Sequence, residues 1–298
     1  MKHHLACATA TALALFAALA QAGPISEDFD YAAGAALSNQ NGGTGWLGSW
    51  SAASNFVVAA GSLSYPGLSS SGNRGVYSAG DYSVDAATRY IGTGADGTTL
   101  WLSFLLRADG NPDGLTSYLS FGDLQVGKIA SDSFWGVGRN GTADVLSTSP
   151  IVPGTSALFV MRFDFNADPA ANDTVSIYID PPAGASPGAP VASYTSLNFS
   201  SGAIAMDWVG YLNNFNATPD IGSVSLDGFS SGDSYAAVAP AAAVPEATPA
   251  ALMALGLVLV GAAARSQRRH PCGILPRNDG QGPNAAADGR DPAAPAVR

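Results

Sequence analysis

Between residues 23 and 243 this 298-residue chain has no cysteine and no histidine. Its two cysteines, Cys7 and Cys272, and its three histidines, His3, His4 and His270, all lie outside that stretch. A disulfide framework, a thiol nucleophile and a Cys-ligated zinc site are therefore excluded from it. So are a Ser-His-Asp triad, a His-ligated metal and a histidine general base. Glutamate is almost as scarce. Glu27 stands alone in the stretch, so two glutamates cannot share nucleophile and acid roles there. Aspartate is plentiful, which leaves an Asp-based glycan-active hydrolase as the alternative to a protein without catalysis.

Positive charge is also lacking. Residues 23–243 hold six Lys or Arg against nineteen Asp or Glu. A nucleic-acid partner needs a basic footprint, and none is present. An acidic surface suits solubility outside the cell and can gather divalent cations. Charged residues make up only 12% of the whole chain while aromatics reach 9%. With abundant glycine, that balance reads as a turn-rich β domain rather than a long-helix protein.

Long apolar runs occur only near the two ends. Met1-Lys2-His3-His4 makes a short positive start, Leu5 to Ala20 is apolar, and Ala20-Gln21-Ala22 supplies small residues at the signal-peptidase positions. Residues 1–22 are thus predicted to be a secretory signal peptide cleaved after Ala22. Near the other end, a Pro/Ala linker at 239–243 precedes Val244-Pro245-Glu246. An apolar stretch of 15 residues, Ala250 to Ala264, follows, and then Arg265, Arg268 and Arg269. The stretch is shorter than the roughly 20 residues that span a bilayer comfortably. Basic residues directly after it fit a cytoplasmic stop.

The order Val-Pro-Glu, short hydrophobic helix and arginine cluster resembles the PEP-CTERM sorting signal of Gram-negative bacteria. The resemblance implies that an exosortase-like membrane protease recognises residues 244–270, with Val244, Pro245 and Glu246 as the motif. It further implies transient inner-membrane anchoring through Ala250–Ala264, retention by Arg265, Arg268 and Arg269, and delivery to the cell surface or medium. An association with exopolysaccharide and biofilm also comes from the resemblance. Ala247 stands where the family has a second proline, and residues 271–298 continue as a Pro/Gly/Ala/Asp-rich tail predicted to be disordered.

Between the ends, apolar residues alternate with polar ones. Leu100, Leu102, Phe104 and Leu106 share one parity, as do Phe159, Met161, Phe163 and Phe165. Val175, Ile177 and Ile179 repeat the pattern, and Ile204, Met206, Trp208 and Leu212 repeat it again. Period-two alternation means strands with one buried face. Asp109 to Gly114, Asn140-Gly141 and Asp180 to Gly184 supply the turns. About a dozen such strands predict one all-β domain over 23–238, an antiparallel β-sandwich or jelly roll without internal helices. The opening Glu27-Asp28-Phe29-Asp30-Tyr31, with Gly42-Gly43-Thr44-Gly45-Trp46 and Trp50, is similar to the start of concanavalin A-like, laminin-G-like jelly rolls. Ile221 to Phe229, followed by Asp233 to Ala236, is similar to their final strand. The resemblance implies that first and last strands pair.

Two sets of site candidates follow. Aromatic rings stack on the C–H faces of sugars, and Trp46, Trp50, Tyr118 and Trp135 lie in Gly/Ser-rich surroundings where loops could present them. Core packing is the competing role for such rings, and for Trp101 and Trp208, inside alternating strands, it is the expected one. Asp164, Asn166, Asp168 and Asp173 gather hard oxygen ligands that suit calcium. The run starts like an EF-hand loop, but Pro169 stands at the turn-glycine position and Val175 at the closing-glutamate position. A polar hairpin connection is the competing reading. No other cofactor is expected. The partners expected are signal peptidase, the exosortase-like protease and an extracellular polysaccharide; the alternatives to a glycan-binding or matrix-associated protein are the Asp-based hydrolase and a purely structural matrix module without a ligand.

Overall fold

A computed structural model describes residues 24–240 apart from 69, 79–83, 93, 112–113, 130–132, 167–172, 185, 200–202 and 213–221. The predicted signal peptide, sorting motif, short anchor and tail lie outside the described residues. No helix among the described residues is long and apolar enough to cross a membrane.

The strands run in order Ser26–Glu27 (β1), Ser51–Ala52 (β2), Phe56–Ala59 (β3), Arg74–Ser78 (β4) and Asp85–Gly92 (β5). Thr99–Asp109 (β6), Leu115–Phe121 (β7), Leu124–Lys128 (β8), Phe134–Arg139 (β9) and Val145–Pro150 (β10) follow. Ser156–Asp164 (β11), Asp173–Ile179 (β12), Ala192–Leu197 (β13), Ala203–Leu212 (β14) and Ser223–Gly232 (β15) complete the set. One short helix, Tyr235–Val238 (α1), ends it. Every pairing between these strands is antiparallel, and they form two sheets. The eight-stranded sheet runs β13-β12-β11-β6-β15-β4-β3, with β1 added against β15; the seven-stranded sheet runs β10-β9-β8-β7-β14-β5-β2. The chain is an all-β antiparallel sandwich of the jelly-roll kind.

The alternating parities become the two inner faces. Leu102, Phe104 and Leu106 of β6 pack with Phe159, Met161 and Phe163 of β11 on one side of the core. Leu119 and Phe121 of β7, Val126 of β8 and Met206 and Trp208 of β14 supply the other. Phe104 and Phe159 stack with centroids 5.3 Å apart. The Trp208 indole donates to Ser117 Oγ at 2.9 Å, so this large ring enters the core without orphaning its N–H.

The first and last strands do pair, Ser26 with Ser230 and Glu27 with Phe229. Register on β15 shifts between Asp227 and Ser230, where Gly228 takes φ +61. That bulge lets β15 pair with β4 through its first half and with β1 through its second. The closing segment departs from expectation in one respect. After Gly232 the chain leaves the sheet, and Tyr235 to Val238 form a helical turn instead of extending the strand. Tyr235 and Val238, three apart, face the same way and are both buried on the sheet's outer surface.

That outer surface carries a second apolar cluster. Trp101 and Leu105 of β6, Leu158 and Val160 of β11 and Tyr178 of β12 are covered by α1 and by Leu63, Tyr65 and Leu68 of the β3–β4 connection. Two carboxylates hold the connection down. Asp227 accepts from Ser62 Oγ and from the Leu63 N–H at 2.7 Å. Asp180 accepts a hydrogen bond from Tyr65 and another from the Leu158 N–H at 2.9 Å. The seven-stranded sheet has no helix against its outer surface among the described residues.

Candidate functional site

The opening motif builds an ion-pair knot rather than a ligand site. Glu27 and Arg89 bond directly through Oε2 and Nη1, and each side chain is only 1% exposed. Glu27 Oε1 accepts the Phe29 N–H at 2.9 Å, and Oε2 also accepts the Tyr31 hydroxyl at 2.8 Å. Arg89 spends its remaining donors on Gly48 O at 3.0 Å, Gly42 O at 2.7 Å and Asn41 Oδ1 at 3.4 Å. Its guanidinium lies 4.7 Å from the Trp46 ring centre and 5.6 Å from that of Trp50. Burial, and then the negative Glu27 beside it, push the Tyr31 hydroxyl up to about 12.

Each residue type in the motif thereby acquires a reason. Phe29 sits at φ +48, a costly angle for a bulky side chain. It is held there by Glu27 and by stacking on Trp50 at 5.9 Å. Gly43, at φ +69, passes so close to the Ser26 carbonyl that a Cβ would collide with it. The domain's single glutamate is thus a structural anion.

Three of the four sugar-contact candidates are packing residues. Trp50 is 1% exposed and Trp135 is 4% exposed, so neither has a ring face for a ligand. Trp135 meets Phe159 edge-on at 5.5 Å inside the core. Trp46 is half-buried, donates to Ser26 O at 3.0 Å, meets Phe229 edge-on and caps Arg89. The physical reason is common to all three: a large ring gains more from burial than a Gly-rich loop gains from displaying it.

Of the calcium candidates, Asp164 and Asp173 are not brought together. Strand alternation puts Asp164 on the outer face of the eight-stranded sheet and Asp173 on its inner face. Asp164 pairs with Arg162 at 2.9 Å and accepts from Thr99 Oγ1 at 2.7 Å. Asp173 is buried and holds two backbone donors, the N–H of Asn166 at 2.9 Å and that of Phe199 at 2.6 Å. It is a clamp closing the end of the core. Asp168 lies outside the described residues. Among the described residues no three His, Cys, Asp or Glu gather as a metal site.

Tyr118 has a different setting. It lies on the outer face of the seven-stranded sheet, half-buried, and its hydroxyl accepts from Gln125 Nε2 at 3.3 Å. The same face presents Thr88 and Tyr90 from β5, Ser120 from β7 and Asp207, Val209 and Tyr211 from β14. Register sets these out as a grid. Asp207 lies between Thr88 and Ser120, and Val209 between Ala86 and Tyr118, which faces the bare Gly127 of β8. Thr88 donates to Asp207 at 2.6 Å. Tyr90 is 45% exposed. Burial, and then the neighbouring Tyr211, raise the Tyr118 hydroxyl above its ordinary value, so it remains a neutral hydrogen-bonding group. A recess of about 210 Å³ opens at one end of the grid, lined by Gly122, Asn198, Ala205 and Asp207 among others. Toward β9 and β10 the face closes, because Ile129 and Leu146 lie against the bare Gly136.

Sequence reading missed Thr88, Tyr90, Gln125, Asp207 and Tyr211. The available signal was their parity, since each stands opposite the apolar set on its strand. Parity by itself does not reveal which outer face stays open.

No family model matches the chain, and no curated protein matches it. Solved structures do. An endo-β-1,4-glucuronan lyase from the fungus Trichoderma reesei is 13% identical, with a TM-score of 0.42 over 74% of this chain and 98% of that one. The alginate lyase Aly36B, bound to an alginate tetrasaccharide, is 13% identical, with a TM-score of 0.40 over 70% and 96%. The carbohydrate recognition domain of Emp47p is 10% identical, with a TM-score of 0.39 over 70% and 97%. The antiparallel strand pairing defines the fold independently of these distant likenesses.

Proposed function

We propose that this chain is an exported, non-catalytic surface or matrix protein that binds extracellular polysaccharide through the outer face of its seven-stranded sheet. The observation that carries the reading is the asymmetry of the sandwich. One outer face is sealed by α1 and the β3–β4 connection, while the other presents three tyrosines, a carboxylate, an amide and hydroxyls on a sheet surface. Tyrosine rings offer stacking area, and the hydroxyl, amide and carboxylate groups offer partners for sugar hydroxyls.

Two features favour binding over hydrolysis. Hydrolysis of a glycosidic bond uses a pair of facing carboxyl groups, and the two carboxylates on this face, Asp207 on β14 and Asp144 over Gly138 of β9, are separated by β7 and β8. Glu27 is committed to Arg89. Ala239 packs on the cluster around Trp101, on the sealed face. For residues 244–270 we propose an exosortase-type sorting signal, on the resemblance of their motif, apolar stretch and arginine cluster.

Replacing Tyr90 and Tyr118 together with Ala should abolish saturable retention on a polysaccharide affinity gel while leaving the unfolding midpoint nearly unchanged. Each stacked ring contributes roughly 0.5–1.5 kcal/mol, so affinity should fall about tenfold or more. Undiminished retention by the double variant would rule the face out as the site. The sorting proposal has its own check in the mass of the exported protein. Residues beyond the Val244-Pro245-Glu246 region should be missing, and finding Ala250–Ala264 still attached would end it.

A further inference from the structure

The whole domain has six basic residues, and all six are described: Arg74, Arg89, Arg107, Lys128, Arg139 and Arg162. None reaches the open face. Arg89 and Lys128 belong to the seven-stranded sheet but occupy its inward parity and are buried, 1% and 0% exposed. Arg74, Arg107 and Arg162 are on the eight-stranded sheet. Arg74 is bonded to Gly61 O at 2.8 Å, Arg107 to Asp109 at 2.8 Å and Arg162 to Asp164 at 2.9 Å. Arg139 closes the end of β9, paired with Asp123 at 2.7 Å and donating to Thr195 O at 2.9 Å, where the two sheets meet. With no histidine between residues 5 and 269, the remaining segments of the domain cannot supply a cation to the face either.

The face itself carries the Asp207 carboxylate. A polymer bearing a carboxylate or sulfate on each sugar would place its charges over this patch with no guanidinium or ammonium to receive them. It would also meet the field of a domain in which acidic residues outnumber basic ones nineteen to six. A sugar hydroxyl meets no such penalty. It can donate to Asp207 and can exchange hydrogen bonds with Thr88, Gln125 and Tyr118.

Building on the polysaccharide-binding reading, we infer that the ligand class is a glycan without acidic groups, and that uronate-rich and sulfated polymers are rejected by the face. The same charge layout means that binding does not depend on salt, since no ion pair forms and no counterions are released.

The test is calorimetric titration of the full-length chain in mild detergent, with EDTA present to remove bridging cations. The probes are neutral hexasaccharides (cellohexaose, laminarihexaose, mannohexaose) and oligoguluronate of the same length. At least one neutral hexasaccharide should bind saturably, with an affinity that stays the same from about 20 to about 500 mM NaCl, a span set by the screening range. Oligoguluronate should bind about tenfold more weakly or not at all at low salt. Asp207→Asn should narrow that gap by relieving the like charge. Oligoguluronate binding as tightly as the neutral sugars would overturn the inference while leaving the polysaccharide-binding reading standing. Failure of every probe would overturn both.

Discussion

Arg89→Met should destabilise the domain by about 3–5 kcal/mol, the cost of stranding a buried charge when its partner is removed. Glu27 would be left with a carboxylate in a site where its side chain is 1% exposed and no other cation is within reach. The damage should spread beyond the pair. Arg89 also ties together the carbonyls of Gly42 and Gly48, and Glu27 holds Phe29 at its strained φ of +48. Both the N-terminal strand and the glycine-rich loop therefore lose an anchor. Arg89→Lys should recover little, because an ammonium cannot reproduce a planar fork that donates in four directions. The double variant Glu27→Gln/Arg89→Met should lie well short of the summed single costs, since it leaves no uncompensated charge. Urea unfolding of the parent, the single variants Arg89→Met, Arg89→Lys and Glu27→Gln, and the double variant measures this directly. A cost below about 1 kcal/mol for Arg89→Met would mean that water reaches the pair and that the knot does not anchor the motif.

The second large effect concerns acid. Asp227 is buried, and burial pushes its carboxyl from 3.8 up to about 6, the three donors from Ser62, Leu63 and Gly228 offsetting only part of the rise. The folded state therefore binds a proton more tightly than the unfolded chain does. Above about pH 6 both states are ionised, and the fold bears the full cost of a buried charge. As pH falls from about 6 toward about 4 the folded state takes up its proton first, and this cost disappears. Asp227 should thus contribute about 2 kcal/mol more stability at pH 4 than at pH 7, at roughly 1.4 kcal/mol for each tenfold gain in proton affinity, the remainder of the effect appearing below pH 4. The comparison is between proteins, so that every other titrating group is common to both. Asp227→Asn should be less stable than the parent at pH 5, because its amide presents N–H toward one of the three donors. The gap should shrink as pH rises to 8. Thermal melts of both proteins across that range read the difference, and parallel pH curves would count against a raised Asp227.

Asp180, which pins the same β3–β4 connection through Tyr65, is also raised by burial.

Much of this is legible along the chain. The parities of Leu100 to Leu106, Phe159 to Phe165 and Val175 to Ile179 become the inner face of one sheet, as period two requires. Trp101 and Trp208 are packing residues, as their places inside alternating strands require. The motifs at the two ends of the domain do meet, Glu27 beside Phe229. The site residues are less legible. Trp46 and Trp50 sit among glycines that suggest an exposed loop, yet those glycines let the backbone close over Arg89, which lies 62 positions from Glu27 in sequence. Asp164 and Asp173 look like neighbours along the chain, but a hairpin delivers them to opposite faces of one sheet.

What the sequence determined by itself is composition and alternation: an all-β domain free of cysteine and histidine, with one glutamate and six basic residues against nineteen acidic ones. Those properties survive any arrangement of the strands. Tertiary structure alone decided which aromatic rings are buried, which carboxylates stand alone and which outer face stays open. Alternation tells two faces of a strand apart, but what covers the outward one depends on partners such as α1, brought from more than a hundred residues away along the chain. Whether Tyr118 meets solvent is set by those long-range contacts, whose formation no local pattern encodes.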